Sequence, residues 1–238
     1  MEELKKYIEK FIGIFEENLN AIKSVEFAVR DNLFKKLLCV GIIDALSKVV
    51  YPNRGNRERF TSFVKYFCAW QHSEKISLPH LIRLLKNVPE SEFPDLRNYS
   101  LSRIKVWKEG SEIKLDKDVD LTEVSKRWPK GYDKIIGKVR LEFITHYNLL
   151  YNYRNSIIHE MRRPPSGIEH KDDKEPYYLS VSSLGEKESH WELVYPLGFF
   201  YKLCMTGLTK LKKYLNDNQL NPYECFVFGE YWIEDLNP

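Results

Sequence analysis

The stretch IGKVRLEFITHYNLLYNYRNSIIHEM, residues 136–161, decides how the chain is read. Ile136, Val139, Phe143, Tyr147 and Leu150 recur at steps of three and four, which puts them on one face of an α-helix. The stripe runs on through position 154 to Ile157 and Met161, and Pro164 and Pro165 follow where a helix must stop. The spacing therefore predicts one long helix over 136–161. Arg154 breaks the pattern, because it stands in the core-facing stripe between Leu150 and Ile157. An unpaired guanidinium there costs several kcal/mol, so Arg154 needs an anion, either a carboxylate from elsewhere in the chain or a phosphate. A second, polar stripe holds Asn148, Asn152, Asn155 and His159 at steps of four, three and four. Asn155 and His159 are neighbours across one helical turn. An amide beside an imidazole can fix its tautomer or share a phosphate oxygen with it.

Upstream, Leu4, Tyr7, Ile8, Phe11, Phe15, Leu19 and Ile22 predict an amphipathic helix over about the first twenty residues. A second helix is predicted over 32–50; it is apolar on most of its circumference and therefore central. The turn chemistry of YPNRGN, residues 51–56, ends it. A third, over 57–71, carries Phe60, Phe63, Val64, Phe67 and Trp70 at core spacing, and a short one follows with Pro79 in its first turn.

Residues 88–132 read as an insertion between core helices. Alternation in 103–107 and 112–115 around a Lys-Glu-Gly turn predicts a hairpin. Asp120 and Glu123 have the spacing of a capping box. A second hairpin is predicted within 176–195, from Tyr177 to Val181 and from His190 to Tyr195. Pro196 then opens a last long helix with Leu197, Phe200, Cys204, Leu208, Leu211 and Leu215 on one face, and the aromatic tail 225–233 is expected to pack back on the body. The fold class expected is mainly α: a helical bundle forming a single domain over 1–238, with one or two inserted β-hairpins.

Composition sets outer bounds. With 43% hydrophobic and 30% charged residues the chain can bury a core, which excludes collagen-like and disordered classes. A net charge of +3, from 37 basic and 34 acidic side chains, neither names nucleic acid as a partner nor excludes it. Cys39, Cys68, Cys204 and Cys225 form no close pair and read as buried, reduced thiols. The charged N-terminus is unlike a signal peptide, and no window has the roughly 18 apolar residues a bilayer span needs. A reducing cytoplasm and no membrane partner are expected. No nucleotide-binding glycine motif, serine-hydrolase elbow or zinc-protease motif is present, and the six histidines show no metal-ligand spacing, so no metal or cofactor is expected.

Arg154-Asn155-Ser156-Ile157-Ile158-His159 resembles the R-x4-H motif of the HEPN superfamily, in which a polar residue commonly follows the Arg. The position agrees: late in a strong helix, downstream of an apolar helical pair, in a mostly α chain. The basic tail after His159 also resembles family versions. The motif covers six residues and the helical scaffold about 150 of the 238; the hairpins are not part of the minimal family scaffold. The resemblance implies a helical bundle that dimerises. It also implies a metal-independent endoribonuclease with RNA as substrate, in a toxin–antitoxin, antiphage-defence or stress setting, with an antitoxin or defence-system partner. It makes Arg154 and His159 the catalytic pair with Asn155 beside them. Where some family toxins carry a modifiable Tyr two residues after the His, this chain has Met161, against that mode of control.

The residue types suit the chemistry. RNA cleaves itself when its 2′-hydroxyl attacks the adjacent phosphorus. Such attack needs a base near pH 7 and stabilisation of charge on the phosphoryl oxygens. An imidazole supplies the first, and such a group contributes about 10² to 10⁴-fold; the planar fork of an arginine supplies the second. Residues five apart on a regular helix point roughly 140° from each other. Arg154 and His159 therefore converge only if the long Arg side chain curls round, if the helix is distorted between them, or, the solution favoured here, if two copies face each other across a two-fold axis in a composite cleft of a homodimer. Arg162 and Arg163 either contact RNA phosphates or complement the helix dipole. Asp44 either pairs with Lys48 or orients Arg154. The lysines of the last helix read as a solvated face, and Trp107 and Trp191 are the aromatics to test for base stacking. The alternatives are a non-catalytic HEPN module for dimerisation or for binding nucleotide, RNA or a partner protein, and an unrelated helical protein with a chance motif.

Overall fold

The computed structural model describes residues 2–128, 135–162, 169, 172–182 and 189–225. The protein is mainly helical with small antiparallel sheets. Its residues group into two compact units, one of 1–69 with 200–238, the other of 70–199.

In the first unit α1 (Glu2–Ser24), α2 (Asp31–Val50) and α3 (Asn56–Tyr66) precede the main run of α8 (Leu197–Asn218), which begins in the second unit. The apolar stripes fall inward as their spacing requires: Ile8, Phe11, Ile12, Leu19 and Ile22 from α1, and Cys204, Leu208, Leu211 and Leu215 from α8, are buried. Burying a side chain of this size contributes about 1.5 to 3 kcal/mol. Helix α8 touches all three partners. Tyr201 Oη donates to the carbonyl of Ile22, Cys204 Sγ to that of Cys39, and a Cβ placed on Gly207 would lie 2.9 Å from the Phe63 ring. Helix α2 is central but not wholly covered: Leu38 and Gly41 are exposed, beside an apolar cleft of about 470 Å³ lined also by Phe15, Ile22, Val25 and Ile42. Cys39, Cys68 and Cys204 are buried free thiols, as expected. Helix α3 ends at Tyr66, five residues before its predicted end, because Ala69 takes a left-handed conformation at φ 49°.

The second unit carries α4 (Leu78–Lys86), α5 (Pro94–Ile104), β1 (Ile113–Lys114), α6 (Leu121–Arg127), β2 (Ile135–Ile136), β3 (Val139–Arg140), α7 (His146–His159), β4 (Tyr177–Val181) and β5 (His190–Val194). The predicted hairpin in 88–132 does not form. Residues up to Ile104 are helical, Val106 is exposed, and β1 pairs instead with β4, Ile113 opposite Tyr178. Alternating charges at a helix end mimic a strand, and the true partner lies more than sixty residues away. The second hairpin forms as read, with Tyr177 opposite Val194 and Val181 opposite His190, giving the sheet order β1-β4-β5. Asp120 is the N-cap of α6, but its carboxylate turns to Lys75 at 3.2 Å and Glu123 turns to Lys126 and Arg127, so the capping box has no side-chain bonds.

The helix predicted over 136–161 is shorter at both ends. Gly137 and Lys138 both have positive φ, 52° and 70°, which makes the tight turn of the β2/β3 hairpin. Ile136 and Val139 thus sit on strands, and the helical step between them is coincidental. A short 3-10 turn over Leu141–Ile144 follows, and Thr145 is the N-cap of α7. At the other end Met161 takes φ 50° and the helix closes at His159. Pro164 and Pro165 lie outside the described residues, as does the tail beyond Cys225.

Candidate functional site

Helix α7 presents its polar side chains in two groups, one at each end. At its C-terminal end Arg154 is buried, 8% exposed, as its place in the stripe requires. Its Nη1 donates to Oδ1 of Asn155 at 3.0 Å, and its guanidinium lies 5.6 Å from the centre of the Tyr151 ring, one turn back. Asn155 is half-buried and His159, the last helical residue, is exposed. Among the described residues no hydrogen bond joins Arg154 to His159 within the chain. Arg162 pairs with Glu160 on the surface, and Arg163 lies outside the described residues. Asp44 belongs to α2 in the first unit, where its carbonyl accepts a bond from Ser47 Oγ at 2.7 Å. The polar stripe is not continuous either. Asn148 is buried and its Nδ2 donates to the carbonyl of Glu142 at 2.8 Å, which ties the first turn of α7 to the preceding 3-10 turn.

At the N-terminal end the structure builds a cluster that sequence spacing does not show. The carboxylate of Asp118, 1% exposed, accepts the backbone N–H of Leu78 at 2.8 Å on Oδ1. On Oδ2 it meets His146 Nε2 at 2.7 Å and Tyr178 Oη at 2.9 Å. Tyr178 Oη is also 2.7 Å from Ser77 Oγ, which is 2.7 Å from His80 Nδ1. Ser77, His146 and Tyr178 are fully buried. Asp118 thus caps α4 from forty residues away, because the hydroxyl of Ser77, at the N-cap position, is turned into the cluster. Backbone bonds lace the same segments: Ile76 N–H to Val119, Ser77 N–H to Ile144 and His146 N–H to Lys75. Aromatic rings close over it, with Trp70 5.8 Å from His146 and Trp107 5.2 Å from Tyr178. Trp107 is therefore a core residue that also packs edge-on against Trp191 at 5.2 Å, and it is not available for stacking on bases.

The electrostatics follow from burial. Burial lowers the His80 imidazole to about 4, aided by His146 and opposed by Asp118. Burial, then the adjacent Asp118 charge, raises the Tyr178 phenol well above its ordinary range. The Cys68 and Cys204 thiols are likewise raised by burial, which makes them poor nucleophiles. Among the described residues no group of three His, Cys, Asp or Glu is placed to hold a metal ion, and no helix is long and apolar enough to cross a membrane. Family models, curated proteins and solved structures, each compared with this protein, give no match.

Proposed function

We propose that the protein is a metal-independent endoribonuclease of HEPN type, cleaving RNA by attack of a 2′-hydroxyl on the neighbouring phosphate and acting as a homodimer. The observation that carries this reading is the state of the motif at the end of α7. The buried Arg154 donates to Asn155 at 3.0 Å, while His159 stands exposed at the helix terminus. The planar fork of a guanidinium matches a phosphoryl group, and an exposed imidazole can reach a hydroxyl proton. Arg154 and His159 differ in burial within one chain, so the reading requires a second copy to complete the cleft. The setting proposed is toxin, antiphage defence or stress response, with RNA as substrate.

The test is cleavage of RNA in the presence of a chelator by wild type, Arg154→Ala and His159→Ala. Products ending in a 2′,3′-cyclic phosphate, lost in both variants, are the expected result. The burial of Arg154 favours a second reading, a non-catalytic HEPN module that binds RNA, nucleotide or a partner. RNA binding without turnover in the wild type supports that one.

A further inference from the structure

The cluster at the start of α7 has a directional property that its hydrogen bonds define. An ionised Asp118 is acceptor-only, so the Tyr178 hydroxyl must donate to it. Tyr178 Oη then accepts from Ser77 Oγ, and Ser77 Oγ accepts from His80 Nδ1. Every proton in the row points toward Asp118. A reversed row is equally well bonded if Asp118 carries a proton: Asp118 donates to Tyr178, Tyr178 to Ser77, and Ser77 to His80. The two arrangements differ by one proton moved from one end to the other. Among the five side chains, His80 alone is half-buried and the other four are buried.

We propose that this row is a proton latch, in which a proton taken up at His80 is relayed through Ser77 and Tyr178 to Asp118 and loosens its hold on the starts of α4 and α7. In the relay the N–H bond of His80 and the O–H bonds of Ser77 and Tyr178 break, and O–H bonds form on Ser77, Tyr178 and Asp118. A neutral imidazole and a neutral carboxylic acid result. The charge-assisted bonds that Asp118 accepts from Leu78 N–H and His146 Nε2–H then become ordinary ones, roughly half as strong. Four other charged or titratable groups lie about the latch. Lys75 Nζ donates to the carbonyl of Asp118 at 3.0 Å and pairs with Asp120, His72 lies close enough to feel His146, and Tyr195 feels the Asp118 charge. The latch is independent of the nuclease reading.

The test follows the Asp118 carboxyl carbon and the His80 ring by NMR through an acid titration of the whole chain. In wild type both signals are expected to move at one midpoint. In Tyr178→Phe the relay is cut, and the two midpoints are expected to separate by a pH unit or more. Separate midpoints in wild type, or a shared one in Tyr178→Phe, overturn the proposal. Should Tyr178→Phe not fold, His80→Asn keeps a donor for Ser77 but binds no proton. The Asp118 signal is then expected to stay still across the wild-type transition, and a signal that moves unchanged overturns the latch.

Discussion

The two ends of α7 handle polar groups in opposite ways. At the start His146 is fully buried, and its partner Asp118 is drawn from twenty-eight residues upstream. At the end the Arg154 guanidinium donates to Asn155, the next residue in the chain, among its contacts, and His159 is exposed. A buried ionisable group survives only when distant segments bring it partners, so the first site is a fastening. An exposed imidazole at a helix terminus has no such demand, and on the proposed reading His159 is the group that meets the substrate. Stability should therefore be sensitive at the first end and activity at the second.

The largest expected effect on stability is Asp118→Ala. It strips Leu78 N–H, His146 and Tyr178 of their acceptor at once and should cost about 3 to 5 kcal/mol, read as a lower urea midpoint. A loss below 1 kcal/mol contradicts the fastening. Next comes acidification. The folded His80 lies at about 4, below its ordinary 6.5, so the unfolded chain binds more protons in that interval. Its stabilising contribution is full above pH 6.5 and is lost as pH falls toward 4, by roughly 2 to 3 kcal/mol. His80→Asn should flatten that slope in denaturation measured across the interval. Tyr178→Phe leaves Ser77 and Asp118 each one partner short and should cost about 1 to 2 kcal/mol by thermal melting. The smallest effect belongs to the other end: Arg162→Ala removes only an exposed ion pair with Glu160 and should change stability by under about 0.5 kcal/mol.

The same contrast explains what could be read from the sequence. The burial of Arg154 was legible because the residues of its stripe lie within one helical turn or two, where spacing is geometry. So were the stripes of α1, α2 and α8 and the β4/β5 hairpin. The mainly helical class was legible with them. The fastening was not, because Asp118, His146, Ser77 and Tyr178 meet across separations of 28 to 101 residues that no local period encodes. The β2/β3 hairpin was misread as helix since Ile136 and Val139 sit three apart, a step that fits a helix face. Gly137 beside β-branched residues was the opposing signal, and a turn with two positive φ values required it. The pairing of β1 with β4 likewise depends on a long-range partner.

The central proposal is that Arg154 and His159, at the C-terminal end of α7, act in RNA cleavage. The most direct measurement is the rate of RNA cleavage by His159→Ala relative to wild type, both in chelator. His159 is exposed, so the variant should fold as the wild type does. A loss of about 10² to 10⁴-fold is predicted for removing a proton-transfer group. Equal rates for the two proteins, or no cleavage by the wild type, would contradict it.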